Sequence, residues 1–485
     1  MADAGSDPER DRTTERILSG RLSTEVFRFG TPLALGMGLQ TTFNLVDAYL
    51  IARLETEVAE PALGAIGICD QLAALGTIIS YGLSVATAAI ASRKWGRGDK
   101  AGARRVAWQS VLLVGGLSLA FGLAGVFGAD VLMSDIVGAK GEVASLGARY
   151  LRVLIGGSFT IFFLLHLTTL QRALGSSKTP VSMLITANAL NLVLAALMIY
   201  GPGDAPPVFS WAPPIAAALG IPRMELMGAA WATLLARLVV LLPLVWLIAK
   251  RFQLFDRASR SGANASILRN IWSIGWPSSA QLVVRISAML FVHSLVARAY
   301  TTEQDQAATT ALGIIFRLET MALFVGLGWG SAAQTFMGQN LGADSPERAK
   351  NSGWYAALYN ACMMALLALA YRAYGPQIIG FFDPRPEVVA IGQSYVSVVG
   401  LSYIGLGIGI VLGSAIQGSG ATKQTLTLDS LVVLAFQVPA CALVVLAFGW
   451  PIASLWVAVA ITYASFAIVY AVAYQRGGFL RHRVG

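Results

Sequence analysis

The residues most able to do chemistry in this chain are a few charged and amide side chains set inside long apolar runs. In the first run, Gln40, Asn44 and Asp47 are spaced four and three apart, so they share one face of a helix. The rest of that run is apolar. A charge inside a membrane span costs at least about 2.5 kcal/mol, so such residues are functional candidates by default. A carboxyl group taken out of water favours its neutral form, which suits a proton carrier at Asp47. It also suits a site where a cation and a proton compete for one charge. In the fifth run Asn188 and Asn191 share a face three residues apart. In the second, Asp70, Thr77, Tyr81 and Ser84 form another polar stripe. If Asp70 faces Asp47, the two would titrate jointly and share a proton. Later in the chain, Arg285 and Glu319 are the prominent intramembrane charges, and an inter-helix Arg285–Glu319 pair is the expectation.

The elements that must position these groups follow from composition. Of 485 residues, 56% are hydrophobic and only 13% charged, about half the charge of a soluble protein. That excludes a soluble enzyme, a disordered chain and a disulfide scaffold. Despite a formal charge of +9, the basic residues fall between apolar runs and form no patch with interleaved aromatics, so no nucleic-acid partner is expected. The partners expected are the bilayer and small molecules. Apolar segments long enough to span a bilayer lie at 27–52, 62–91, 106–128, 150–171, 181–201, 227–249, 270–297, 311–335, 353–371, 393–414, 426–449 and 452–474. They lack the period-two alternation of barrel strands, so helices are predicted. The fold class is an all-α membrane protein of twelve transmembrane helices.

Sidedness comes from Lys and Arg. Loops on the side of the N-terminus carry about twice the Lys/Arg of the opposite loops, which places both termini in the cytoplasm. No cleaved signal peptide is expected. The chain also repeats itself. Gly30-Thr31-Pro32 returns as Gly275-Trp276-Pro277, Gly82 as Gly328, Gly96 as Gly342, and Lys178 as Lys423. Because the register holds across loops, the chain reads as a tandem duplication of a six-helix unit. Six is even, so the two copies run parallel, a transporter architecture with an alternately opened cavity between lobes. The expected organisation is a cytoplasmic tail 1–24, a first lobe 25–249, a linker 250–269, a second lobe 270–475 and a tail 476–485. The proline-rich stretch 202–226 is expected to be a solvated connector.

Four segments resemble the multidrug and toxic compound extrusion (MATE) family. They are Asn44-Leu45-Val46-Asp47, Arg172-Ala173-Leu174-Gly175-Ser176-Ser177-Lys178-Thr179-Pro180, Gly338-Gln339-Asn340-Leu341-Gly342-Ala343 and Gln417-Gly418-Ser419-Gly420-Ala421-Thr422-Lys423. They stand in the family's order, and the resemblance runs from about residue 25 to 475. It implies secondary antiport, with protons or sodium ions exchanged for organic, often cationic and amphipathic compounds. Asp47 matches the family's acid in the first helix, and Asn191 and Thr233 match polar positions near its ion site. In the family a second Asp often follows four residues after the Asn; here that residue is Ala195. Losing a carboxylate weakens a sodium site and favours protons. In the second lobe Arg285 stands where Gln40 repeats, and Val292 where Asp47 repeats. One branch of the family has an acid at about the Arg285 position and another in the tenth helix; here the 393–414 segment has no charge, so a coupling acid of that branch is not expected.

No G-x-x-x-x-G-K-[ST] motif is present, in keeping with an ion gradient as the driving force. No cofactor and no metal site are expected, and a monomer is expected. His166 and His293 read as satisfied core residues, and Cys69, Cys362 and Cys441 as buried small hydrophobes. The functional expectation is a proton-coupled exporter of organic cations in a bacterial inner membrane. Sodium coupling, or flipping of a lipid or lipid-linked saccharide by Arg237, Arg285 and Arg317, are the alternatives.

Overall fold

The computed structural model describes residues 8–253, 262–302 and 304–482. Among these there is no strand. A short helix, α1 (Pro8–Ser19), precedes α2 (Leu22–Ile51), α3 (Thr56–Gly96), α4 (Lys100–Val131), α5 (Gly141–Gly156), α6 (Ser158–Ala173), α7 (Lys178–Tyr200), α8 (Ala212–Leu219) and α9 (Glu225–Phe252). The second half holds α10 (Ala265–Ala299), α11 (Ala307–Gly342), α12 (Pro346–Phe382), α13 (Pro386–Val399), α14 (Tyr403–Gly418), α15 (Thr422–Val432), α16 (Val438–Ala442) and α17 (Ile452–Arg476).

Ten helical stretches are each long and apolar enough to cross a membrane, and α5 with α6 makes an eleventh, bent by 41°. The thirty-residue α2 completes the twelve. The bend sits at Gly157, and the corresponding break between α13 and α14 falls at 400–402, one repeat length later. A freed carbonyl at such a break stays buried in protein, which the membrane tolerates. The protein is a multi-pass membrane protein of two six-helix repeats. The connector after α7 is more ordered than expected. Its helix α8 buries Ala212 and Ala216 against Ala196 and Leu197 of α7, because this stretch is itself apolar. The linker residues 254–261 lie outside the described residues. Cys69 and Cys441 are buried, whereas Cys362 is exposed on α12.

The two repeats meet through the glycines that mark the duplication. A Cβ on Gly96 would lie 2.0 Å from the Gln339 carbonyl oxygen, and one on its repeat mate Gly342 would lie 2.1 Å from the Arg93 oxygen. The pattern recurs at mid-depth. Gly82 would meet the Gly275 backbone at 2.5 Å, and Gly328 would meet Ala34 at 2.4 Å. Only glycine allows helices of opposite repeats to touch backbone to backbone here. The MATE-like segment on α11 uses that approach. Gln339 Nε2 donates to the Ala173 carbonyl at 2.9 Å, Gln334 Nε2 to Val85 at 3.2 Å, and Thr335 Oγ1 to Arg172 at 3.2 Å. Among the described residues, every hydrogen bond between the repeats lies at mid-depth or towards the end that carries both termini. Helix α1 seals that end further. Ile17 is buried, and its carbonyl accepts from Arg348.

Candidate transport site

Asp47, near the far end of α2, faces α7 and α9. Its carboxylate accepts from Asn191 Nδ2 at 3.1 and 3.3 Å and from Thr233 Oγ1 at 3.4 Å. Thr233 also lies 3.1 Å from Asn191 Oδ1, so its single hydroxyl proton has two competing acceptors. Sequence spacing set Asn191 on one face of α7; packing of α7 against α9 brings Thr233 to it. Asp70 and Arg237 stand within electrostatic range of Asp47. Neither makes a hydrogen bond or ion pair with it among the described residues. The cluster is thus one carboxyl group held by neutral donors, with a second acid and a cation nearby. Such a group can take or release a proton while its donors rearrange.

Other residues of the first repeat sort differently. Asn188, one turn before Asn191, is half-buried without a hydrogen-bond partner among the described residues. The side chain of Asn44 lies outside the described residues. Gln40 does not join the Asp47 cluster but lines a central cavity between the repeats. His166 is held between Ser84 and Ser110, at 3.2 and 2.8 Å, as a satisfied core histidine.

In the second repeat the expected Arg285–Glu319 pair does not form. Arg285 instead pairs with Asp429 on α15, through Nε and through Nη2 at 3.1 Å. Asp429 is completely buried. It also accepts from Gln281 Nε2 at 2.9 Å and from the Tyr470 hydroxyl. Glu319 faces away from this pair, towards α13 and α17. There its Oε1 accepts from the hydroxyls of Tyr395 and, at 3.2 Å, Tyr463. The reason is rotational: Arg285 points from α10 towards α15 and α17, while Glu319 leaves α11 on another face. Sequence reading missed Asp429, although a lone acid in Thr425-Leu426-Thr427-Leu428-Asp429-Ser430-Leu431 meets the same intramembrane-charge criterion as Asp47.

The central cavity holds about 440 Å³ and is lined from both repeats. Among the described residues that line it, Glu319 is the one acid, and Arg172 and Arg285 are the arginines. Arg285 is neutralised by Asp429. Arg172 donates to Thr169 at 2.6 Å, and its Nε has no hydrogen-bond partner among the described residues. Tyr81, Phe316 and Phe466 contribute aromatic surface, and His293 packs edge-on against Phe316. No group of three potential metal ligands occurs among the described residues.

With this geometry in hand, comparison with known proteins is decisive at the level of the family. The MatE family model matches residues 32–197 and 283–443. The chain is a member of the MATE family. Among relatives of this MATE protein, the probable multidrug resistance protein YpnP of Bacillus subtilis (strain 168) is 26% identical over 429 residues. That match covers 87% of this chain and 88% of the relative. A protein named FAD transporter from Shewanella oneidensis is 24% identical over 431 residues, covering 88% and 89%. Among solved structures, an outward-facing multidrug resistance MATE family transporter of the MOP superfamily superposes with a TM-score of 0.83 at 24% identity, covering 96% of this chain and 98% of that one. A MOP superfamily transporter from Pyrococcus furiosus reaches 0.84 at 23% identity, covering 99% and 100%. These likenesses establish the shared fold.

Proposed function

We propose that this MATE protein is a multidrug efflux antiporter of a bacterial inner membrane, exporting amphipathic organic cations in exchange for protons. Both termini then lie in the cytoplasm, and residues 25–249 and 270–475 act as its two lobes. Relatives named as probable multidrug resistance proteins support the export reading. The observation that carries proton coupling is the Asp47 cluster, a carboxyl group whose hydrogen-bond donors, Asn191 and Thr233, are both neutral. Protonation removes the charge that holds Asn191 and Thr233 in place, so the cluster has two arrangements that a proton selects between. A sodium ion would find one carboxylate among the three hydrogen-bonded side chains, since Ala195 is buried and offers no side-chain oxygen and Asp70 makes no hydrogen bond to the cluster among the described residues.

The glycine seam closes the lobes on the terminus side, and with that side in the cytoplasm this reading takes the present arrangement as outward-open. In that state a proton from outside reaches Asp47, and cargo leaves the cavity. Glu319 supplies the cavity with its acid, and the surrounding rings supply faces for a cation. A second reading, an anionic cargo, is favoured by Arg172 with its unpartnered Nε and by the relative named FAD transporter. The flippase reading weakens, because Arg285 is neutralised and Arg317 stacks on Phe382.

The test is ethidium efflux from energised vesicles, comparing the wild type with Asp47→Asn. Efflux driven by a pH gradient alone and lost in the variant is the expected result. Efflux driven by sodium alone would replace the proton with sodium. No efflux under either gradient, with protein present in the membrane, would remove cation export.

A further inference from the structure

Away from the transport site, a second polar pocket of about 650 Å³ lies at the terminus end of the seam. The first repeat contributes Lys94, Asp99 and Arg105 to its wall, and the second contributes Arg269, Asn270 and Ser273. Among the described lining residues, three cations therefore face one acid. That acid is committed elsewhere: Asp99 caps α4 by accepting the Gly102 N–H at 2.8 Å, and it lies 3.6 Å from Lys94 Nζ. Arg105 and Arg269 are exposed, and neither has a hydrogen bond or ion pair among the described residues. The first turns of α4 and α10 both border the pocket, so two positive helix ends add to the same field.

Depth identifies the ligand. On α10 the next residues along are Trp272 and Trp276, and both are exposed. Exposed tryptophans on membrane helices are enriched at the headgroup level. Arg269 is one turn nearer the terminus than Trp272, in the plane where lipid phosphates lie. Basic pockets between helices at this depth suit anionic headgroups.

We propose that this pocket binds the phosphate of an anionic phospholipid, held by Arg105 of one repeat and Arg269 of the other. The site exists because the foot of α10 is docked: Ile271 and Ile274 are buried with Leu83, Ile90 and Val106 across the seam. A headgroup bridging the two arginines braces that docking. The site is independent of which cargo or ion the transporter uses.

The test is thermal unfolding of the purified full-length protein in detergent, titrated with phosphatidylglycerol, phosphatidylcholine or inorganic phosphate. Phosphatidylglycerol should raise Tm, at a half-maximal concentration at least about tenfold below that of phosphatidylcholine. In the R105Q/R269Q variant that concentration should rise roughly 30-fold, from the loss of two cations beside the headgroup. The R105K/R269K variant, which keeps the charges, should retain most of the preference. Three results would overturn the proposal. They are an R105Q/R269Q titration that matches the wild type, equal effects of the two lipids, or full reproduction of the shift by inorganic phosphate, which would make the ligand a free anion.

Discussion

Replacing Asp429 with Asn tests whether the Arg285–Asp429 pair organises the second repeat. The side chain keeps its size, so no cavity opens. What changes is that Arg285, whose side chain is 15% exposed, loses its counter-charge while Gln281 and Tyr470 lose a charged acceptor. Removing one partner of a buried pair costs about 3–5 kcal/mol. Because Arg285 also borders the cavity, the lower end applies, about 3 kcal/mol. Arg285→Gln alone leaves Asp429 buried with its two neutral donors, at a similar cost. The double variant Arg285→Gln/Asp429→Asn restores charge balance and should cost well under the sum of the two, with a coupling energy of about 3 kcal/mol. The assay is a double-mutant cycle by denaturant titration of the detergent-solubilised protein. If the two single effects add to the double within about 0.5 kcal/mol, the pair is not energetically coupled and the reasoning is wrong.

Three further outcomes follow from the geometry. Gly96→Val drives a side chain into the Gln339 backbone. Overpacking of about 1–3 kcal/mol should then bias the protein against the sealed terminus side by about 5- to 150-fold. Faster maleimide labelling of Ser92→Cys in a background without Cys69, Cys362 and Cys441 would register it, and an unchanged rate would contradict it. Glu319→Gln should weaken tetraphenylphosphonium binding to the purified protein by about tenfold with folding intact, since Tyr395 and Tyr463 keep an oxygen to donate to. Equal binding would take Glu319 out of cation recognition. Outside the spans, the Arg223 guanidinium holds the Glu55 carboxyl below its usual range. A lowered carboxylate stabilises above its ordinary range, and that contribution is lost as pH falls through its folded-state value. Hydrogen-exchange protection of loop 201–224, taken relative to the intrinsic exchange rate at each pH, should therefore fall on acidification in the wild type, and Glu55→Gln should already show the lower protection at neutral pH. A variant as protected as the wild type at neutral pH would refute this.

Much of the architecture is legible in the sequence because membrane physics leaves few choices. Apolar runs of spanning length must be helices, and a register that survives loops must be a duplication. The glycines that reveal the repeat, Gly82 with Gly328 and Gly96 with Gly342, are also those that touch across the seam, so the pattern and the contact have one cause. Helical spacing likewise put Asn188 and Asn191 on one face of α7. Spacing within a helix cannot say which neighbour that face meets. Rotation and packing of whole helices sent Gln40 to the central cavity and Asp47 to Asn191 and Thr233, although both lie on one predicted face of α2. The same rotations gave Arg285 to Asp429 and left Glu319 to two tyrosines. Charge complementarity in the sequence had allowed Arg285 and Glu319 to pair, but only the placement of α15 and α17 decided which acid stood within reach.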